Sequence, residues 1–258
     1  MNKNPKAKLN DLLKDLKQKE NKEKAKILAG FFKTGPGQYG EGDLFLGITV
    51  PESRKLALRY SELPLSDISK LIKNKYHEAR LVALLILVHK YKVASTLHRS
   101  DLCKTIADFY LKHTKYINNW DLVDLSAHYI VGDYLYSHHL AQRALLLRQE
   151  ETKYRTVLYG LAKSKNLWER RIAIISTFAF IYKGEPEWTF HLVKMLLNDS
   201  HDLIHKTCGW MLREVGKRVS EKELTTFLDI HNTQMPRTML RYAIERLPKN
   251  KRFYYLNK

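Results

Sequence analysis

The sequence predicts an all-α fold, a superhelical solenoid of antiparallel helix pairs presenting a concave, basic groove. Three observations lead there. Apolar residues recur at i, i+3 and i+4 spacing almost everywhere, while strand-like alternation is nearly absent. Apolar blocks bearing Arg or Trp return at a roughly regular interval, and Lys and Arg number 45 against 27 Asp and Glu. The 44% hydrophobic content suffices for a core, and 11 Gly and 7 Pro in 258 residues are too few for the turns of an all-β fold. The chain reads as a single domain over 1–258.

From the N-terminal side, MNKNPKAKLNDLLKDLKQKE is Lys-rich, and Leu9, Leu12, Leu13 and Leu16 mark one face of a first helix. The stretch lacks the apolar core and small-residue cleavage site of a secretory signal. Thr34 to Asp43, TGPGQYGEGD, is the one sustained break, where Gly and Pro crowd together and no helix persists. Ordered loops of this kind often carry function. Gly35-Pro36-Gly37-Gln38-Tyr39-Gly40 matches the letters of a dinucleotide fingerprint, but the required preceding strand and opening helix are missing, and no P-loop Lys-Ser/Thr follows. Helical spacing resumes with Ile68, Leu71 and Ile72.

Five blocks then align: YHEARLVALLIL from Tyr76, NNWDLVDLSAHYI from Asn118, NLWERRIAIISTF from Asn166, HDLIHKTCGWMLRE from His201 and PRTMLRYAIERL from Pro236. Their spacing overlaps the two-helix repeat of HEAT and armadillo arrays, in which stacking buries the face that no pair can bury alone. Charged and aromatic residues fall near the start of each inner helix, placing Arg80, Trp120 with Asp124, Arg170 with Arg171, Lys206 with Trp210, and Arg237 with Arg241 along one expected surface.

A formal charge of +18 and a pI near 9.7 make a polyanion the expected partner. The longest uninterrupted apolar run, Leu81 to Val88, is far short of the ~20 residues a membrane span needs. Cys103 and Cys208 belong to no CxxC or metal-spaced pair, which fits a reducing cytosol. His201 and His205 stand at metal-ligand spacing without a third ligand, so exposed histidines are expected there. No GxSxG or comparable nucleophile signature is present.

Trp120 and Asp124 are four residues apart and share a helix face, which aims an electron-rich ring and a negative charge at a common cationic ligand. A core Trp beside a solvated Asp gives the same spacing. Trp210, with Lys206 before it and Arg213 after it, fits a second ligand-facing indole or core packing beside Gly209. Arg170 and Arg171 follow Trp168 and suit phosphate, since a guanidinium forks onto phosphate oxygens. An exposed helix face accounts for at least one of them equally well.

DLFLGITVPESR from Asp43, NNWDLVD from Asn118, NLWERRIAI from Asn166 and GWMLRE from Gly209 resemble the AlkD family of DNA alkylation-repair glycosylases, in the family's order and approximate spacing, from about Phe31 to Glu245. The resemblance implies a HEAT-like fold and hydrolysis of the N-glycosidic bond of N3- and N7-alkylated purines in double-stranded DNA, without a cofactor. It places the catalytic Trp and Asp on Trp120 and Asp124, the Arg on Arg171 and the second Trp on Trp210. Arg80, Arg170, Lys206, Arg213, Arg237 and Arg241 are further candidates for DNA contacts. The resemblance also implies that the lesion is engaged without a conventional flipping pocket.

Alkylation at N3 or N7 gives the purine a formal positive charge and makes it a good leaving group. The protein must then stabilise the cationic sugar, for which a carboxylate is suited, and rings near the lesion add about 0.5–2 kcal/mol of cation–π attraction each. The expectation is a monomeric base-excision repair enzyme of the cytosol. Two alternatives stand beside it: a non-catalytic HEAT-like binder of bent or branched DNA, which does not need Trp120, Asp124, Arg171 and Trp210 together, and a protein-interaction scaffold, against which the charge weighs.

Overall fold

The computed structural model of the protein describes residues 8–138 and 151–258. It is all-helical; the one β-type pairing among the described residues is the bridge between Leu44 and Tyr76. No helix among them is long and apolar enough to cross a membrane. The chain divides into two compact units, Met1–Ser126 and Ala127–Lys258. Of the expected first helix, residues 1–7 lie outside the described residues.

The first unit comprises α1 (Leu9–Gln18), α2 (Lys22–Phe31), α3 (Val50–Arg59), α4 (Leu65–Leu71), α5 (His77–Thr96), α6 (Ser100–Lys112) and the short α7 (Trp120–Asp124). Helix α5 is its axis. Every residue from His77 through Val88 is buried, as expected for the all-apolar run Leu81–Val88, and α3, α4, α6 and α7 pack against it. Helix α3 starts at a capping box, Thr49 with Glu52, and takes Pro51 in its first turn, where a missing N–H costs nothing. Cys103 is buried on α6.

The Gly-rich segment 34–43 is a chain of turns. Thr34 Oγ1 donates to the Ala29 carbonyl at 3.1 Å, Gly37 N–H to Glu41 at 2.9 Å and Gly40 N–H to the Lys33 carbonyl at 3.0 Å. At Gly47, φ is +84°, and a Cβ would lie 2.1 Å from the Asn21 carbonyl oxygen, so only glycine lets this segment approach the start of α2.

The second unit comprises α8 (Glu151–Ala162), α9 (Leu167–Ser176), α10 (Phe178–Ile181), α11 (Glu187–Met195), α12 (Asp202–Arg218), α13 (Glu221–His231), α14 (Arg237–Ala243) and α15 (Lys249–Asn257), with a π-helical turn at His128–Gly132. Helix α12 is the hub, packed against α9, α11, α13 and α14. Its approach to α14 depends on Gly209, where a Cβ would stand 2.3 Å from the Met239 carbonyl oxygen. Cys208 is fully buried beside it, and burial pushes its thiol pKa strongly upward.

Candidate functional site

In the first unit, Asn119 caps α7, its side-chain oxygen accepting the Trp120 N–H at 2.8 Å. The five-residue helix then sorts its acids by face. Asp121 is buried, whereas Trp120 and Asp124 are both partly exposed, and all three border the same cavity. The cavity has a volume of about 560 Å³ and lies wholly within this unit.

Its walls are mainly aromatic and aliphatic. The Phe32 ring stacks on Trp120 at 5.1 Å and on Phe45 at 5.1 Å, each pair 19° from parallel, and Phe31 meets Trp120 edge-on at 5.9 Å. Leu28, Ile48 and Leu81 complete much of the lining. Phe31 remains 60% exposed although its neighbour Phe32 is buried.

Behind this wall lies a buried charge cluster. The His77 ring stacks on Phe45 at 4.6 Å, its Nε2 lies 2.8 Å from Asp121, and its Nδ1 lies 3.3 Å from Asp43. Asp43 also receives Arg80 Nη2 at 2.7 Å and Asn118 Nδ2 at 3.1 Å. Burial disfavours a charged imidazole, but the Asp121 charge, its hydrogen bond and that of Asp43 outweigh it and raise the His77 pKa to about 9. Burial likewise opposes ionisation of Asp43, yet the bond from His77 and the Arg80 charge hold its carboxyl below the usual value. The adjacent Glu78 accepts three backbone N–H groups, from Leu46 at 2.9 Å, Gly47 at 2.8 Å and Ile48 at 3.2 Å, clamping the cavity-lining segment onto α5.

Arg80 therefore does not occupy the place expected of a DNA contact. It is 5% exposed, paired with Asp43, and donates to the carbonyls of Asn74 and Lys75, so its guanidinium organises the loop. An isolated Arg cannot be buried cheaply, and this one is matched through Nη1 and Nη2, its buried Nε alone lacking a hydrogen-bond partner.

In the second unit, Asn166 caps α9 through the Trp168 N–H at 2.9 Å. Arg171 is 6% exposed; its Nη1 donates to the Leu203 carbonyl at 3.0 Å and to Thr207 Oγ1, anchoring α9 to α12. Arg170 is partly buried, its Nε 2.6 Å from Asp199, with further bonds to the carbonyls of Ser164 and Lys165. Both differ from the freely solvated face weighed for one of them. Trp210 is partly exposed, its Nε1 donating to Glu214 at 3.3 Å and its ring 6.5 Å from Phe178. Lys206 pairs with Asp202 at 2.7 Å, and Arg213 with Glu245. Arg237 is exposed and donates to the Leu256 carbonyl at 2.8 Å, and Arg241 is exposed on α14. His201 is the N-cap of α12, accepting the Leu203 N–H at 3.1 Å, and His205 Nε2 bonds the Asp199 carbonyl, so both imidazoles have structural work.

Sequence reading missed Phe31, Phe32, Phe45, His77 and Asp121 in the first unit, and Phe178, Glu214 and Arg218 around Trp210 in the second. One signal was present: His77, Glu78 and Arg80 open a helix that is otherwise apolar for eight residues, and such a polar cluster has to find internal partners.

The sequence profile of a family described as DNA alkylation repair enzyme matches residues 12–247. No curated protein sequence matches the chain. Among solved structures, a predicted DNA alkylation repair enzyme from Enterococcus faecalis is similar in fold, with a TM-score of 0.65 and 17% identity, over 90% of this chain and 98% of that one. With a profile match spanning nearly its whole length, the chain belongs to the family of DNA alkylation repair enzymes.

Proposed function

We propose that the protein is an alkylpurine DNA glycosylase that hydrolyses the N-glycosidic bond of cationic N3- and N7-alkylated purines in duplex DNA, acting as a monomer in the cytosol. The observation that carries this reading is the pairing of Trp120 and Asp124, both partly exposed, on the wall of one aromatic cavity. Family membership supports the class of damage. The net charge of +18 supports DNA as partner.

The bond between C1′ and the purine nitrogen breaks heterolytically. Its electron pair passes to the base, cancelling the base's positive charge, and leaves a cationic sugar. Asp124 stabilises that cation and positions the water that adds to C1′; the water's proton passes to the carboxylate or to solvent. The products are a free alkylpurine and an abasic site. Trp120 contacts the lesion, and Trp210, partly exposed on the second unit, is a further ring for DNA; Arg171, 6% exposed, ties α9 to α12 much as Arg80 ties the loop of the first unit. No step calls for a metal or organic cofactor.

Purified protein should release 7-methylguanine or 3-methyladenine from methylated duplex DNA. Asp124→Asn should slow release on the order of 10²–10³-fold, the scale of losing one electrostatic group at a developing charge. An Asp124→Asn protein as active as wild type would remove the assigned role, and an inactive wild type would remove the activity.

A further inference from the structure

The structure assigns Arg218 as a phosphate contact for DNA on the second unit, with Glu214 as the residue that positions it. This rests on the reading of the protein as a repair enzyme that acts on DNA, and neither residue belongs to the set expected from the sequence.

Arg218 ends α12, two turns or ~12 Å beyond Trp210. Glu214 lies midway on the same stripe, buried, with both oxygens engaged. Its Oε1 accepts the Trp210 Nε1–H at 3.3 Å and its Oε2 the Arg218 Nε–H at 2.7 Å. The Phe178 and Tyr182 rings stand nearly perpendicular, 5.2 Å apart, and the guanidinium carbon sits 5.1 Å and 4.4 Å from their centroids. One carboxylate thus fixes the reach of the guanidinium, and two rings fix its place.

The donors that Arg218 leaves unspent set it apart. A guanidinium carries five N–H donors. Arg170 and Arg171 spend theirs on Asp199, on Thr207 and on the carbonyls of Ser164, Lys165 and Leu203. Arg218 gives Nε to Glu214, its only acidic partner among the described residues, and the Tyr182 hydroxyl adjoins it. With the Arg218 side chain 30% exposed and Tyr182 62% exposed, the rest of the fork is open to water. A planar fork already held in place loses little freedom when it closes on phosphate oxygens. The ligand is the phosphodiester of a strand running past Trp210. Such a contact carries no sequence or lesion information, so it strengthens binding to methylated and intact duplex alike.

The test measures the affinity of the full chain for a labelled duplex, methylated and unmethylated, from roughly 50 to 200 mM salt. Arg218→Ala should weaken binding to both roughly tenfold and flatten the salt slope by about one contact. Arg218→Lys, which keeps the charge without the fork, should keep the slope and recover only part of the affinity. Glu214→Gln removes a negative charge, so a generic field would bind DNA more tightly. Loss of positioning should instead weaken binding several-fold, and the substitution should add nothing in the Arg218→Ala background. Lys217→Ala, the same change of charge one residue away, should have little effect.

An Arg218→Ala protein with wild-type affinity and slope, tighter binding by Glu214→Gln, or an equal loss in Lys217→Ala would each overturn the assignment. Release of 7-methylguanine by wild type alongside any of these leaves the glycosylase standing. Should Glu214→Gln not fold, Arg218→Lys carries the test at an exposed position, and full wild-type affinity there removes the fork. The expected binding pattern without base release keeps the contact and removes the hydrolytic activity.

Discussion

With its pKa near 9, His77 carries a proton at neutral pH between Asp43 and Asp121, and its ring backs the aromatic wall of the cavity. A pKa raised from 6.5 to about 9 stabilises the fold fully below pH 6.5, and that contribution is lost as pH climbs through 9. Asp43, with its pKa held below 3.8, acts oppositely: its contribution is present above that value and lost as pH falls through the folded pKa. Thermal melts should accordingly show the wild-type midpoint falling between pH 6.5 and pH 9, and His77→Asn should lie lower and lose most of that slope. An unchanged slope in the variant would mean that another group titrates. Trp120 and Asp124 were legible because four residues on one short helix are a local relation. Phe32, Phe45 and His77 were not, because their meeting with α7 joins residues from opposite ends of the unit. Arg80 shows the same limit: sequence reveals a cation at a helix start, and only the buried Asp43 reveals that it points inward.

The helices themselves were more readable. Each of the five aligned blocks begins at or beside a helix N-cap: Tyr76 for α5, Asn119 for α7, Asn166 for α9, His201 for α12 and Pro236 for α14. Capping chemistry is local, so Asn119, Asn166 and His201, each accepting a first-turn N–H, announce the starts of α7, α9 and α12. The end of α7 was not announced, since NNWDLVDLSAHYI reads as one continuous helix, whereas the structure stops it after Asp124 and resumes with a π-helical turn. Close approach of helices is equally hidden in a single sequence, and it depends on residues such as Gly209. Gly209→Ala should destabilise the protein by about 1–3 kcal/mol in denaturant melts, the range for forcing bulk into a packed site, because its methyl would meet the Met239 carbonyl. A neutral result would mean that α12 and α14 can part without cost.

For the whole molecule, an excess positive charge of 18 makes association with duplex DNA strongly dependent on salt. Plotted logarithmically, affinity should fall linearly with salt concentration, and if exposed Arg241 contacts phosphate as proposed, Arg241→Ala should flatten the slope by about one contact. Arg80→Ala should do something different: lower the melting temperature while leaving the slope alone, since its charge is consumed by Asp43. If both variants flatten the slope equally, Arg80 reaches DNA after all. Composition made this electrostatic character plain, since net charge is a sum over residues and needs no fold.

The two cysteines gain a meaning from the setting in which such a protein works. Agents that methylate purines also attack sulfur, and a thiol reacts through its thiolate. Cys208 is sealed within the second unit with its proton firmly retained, and Cys103 is buried within the first. Both thiols should resist Ellman's reagent in the native protein and titrate fully once it is unfolded, whereas rapid native labelling of either would contradict their burial. A cell under electrophilic attack would thus keep its repair protein chemically intact while its DNA is being modified.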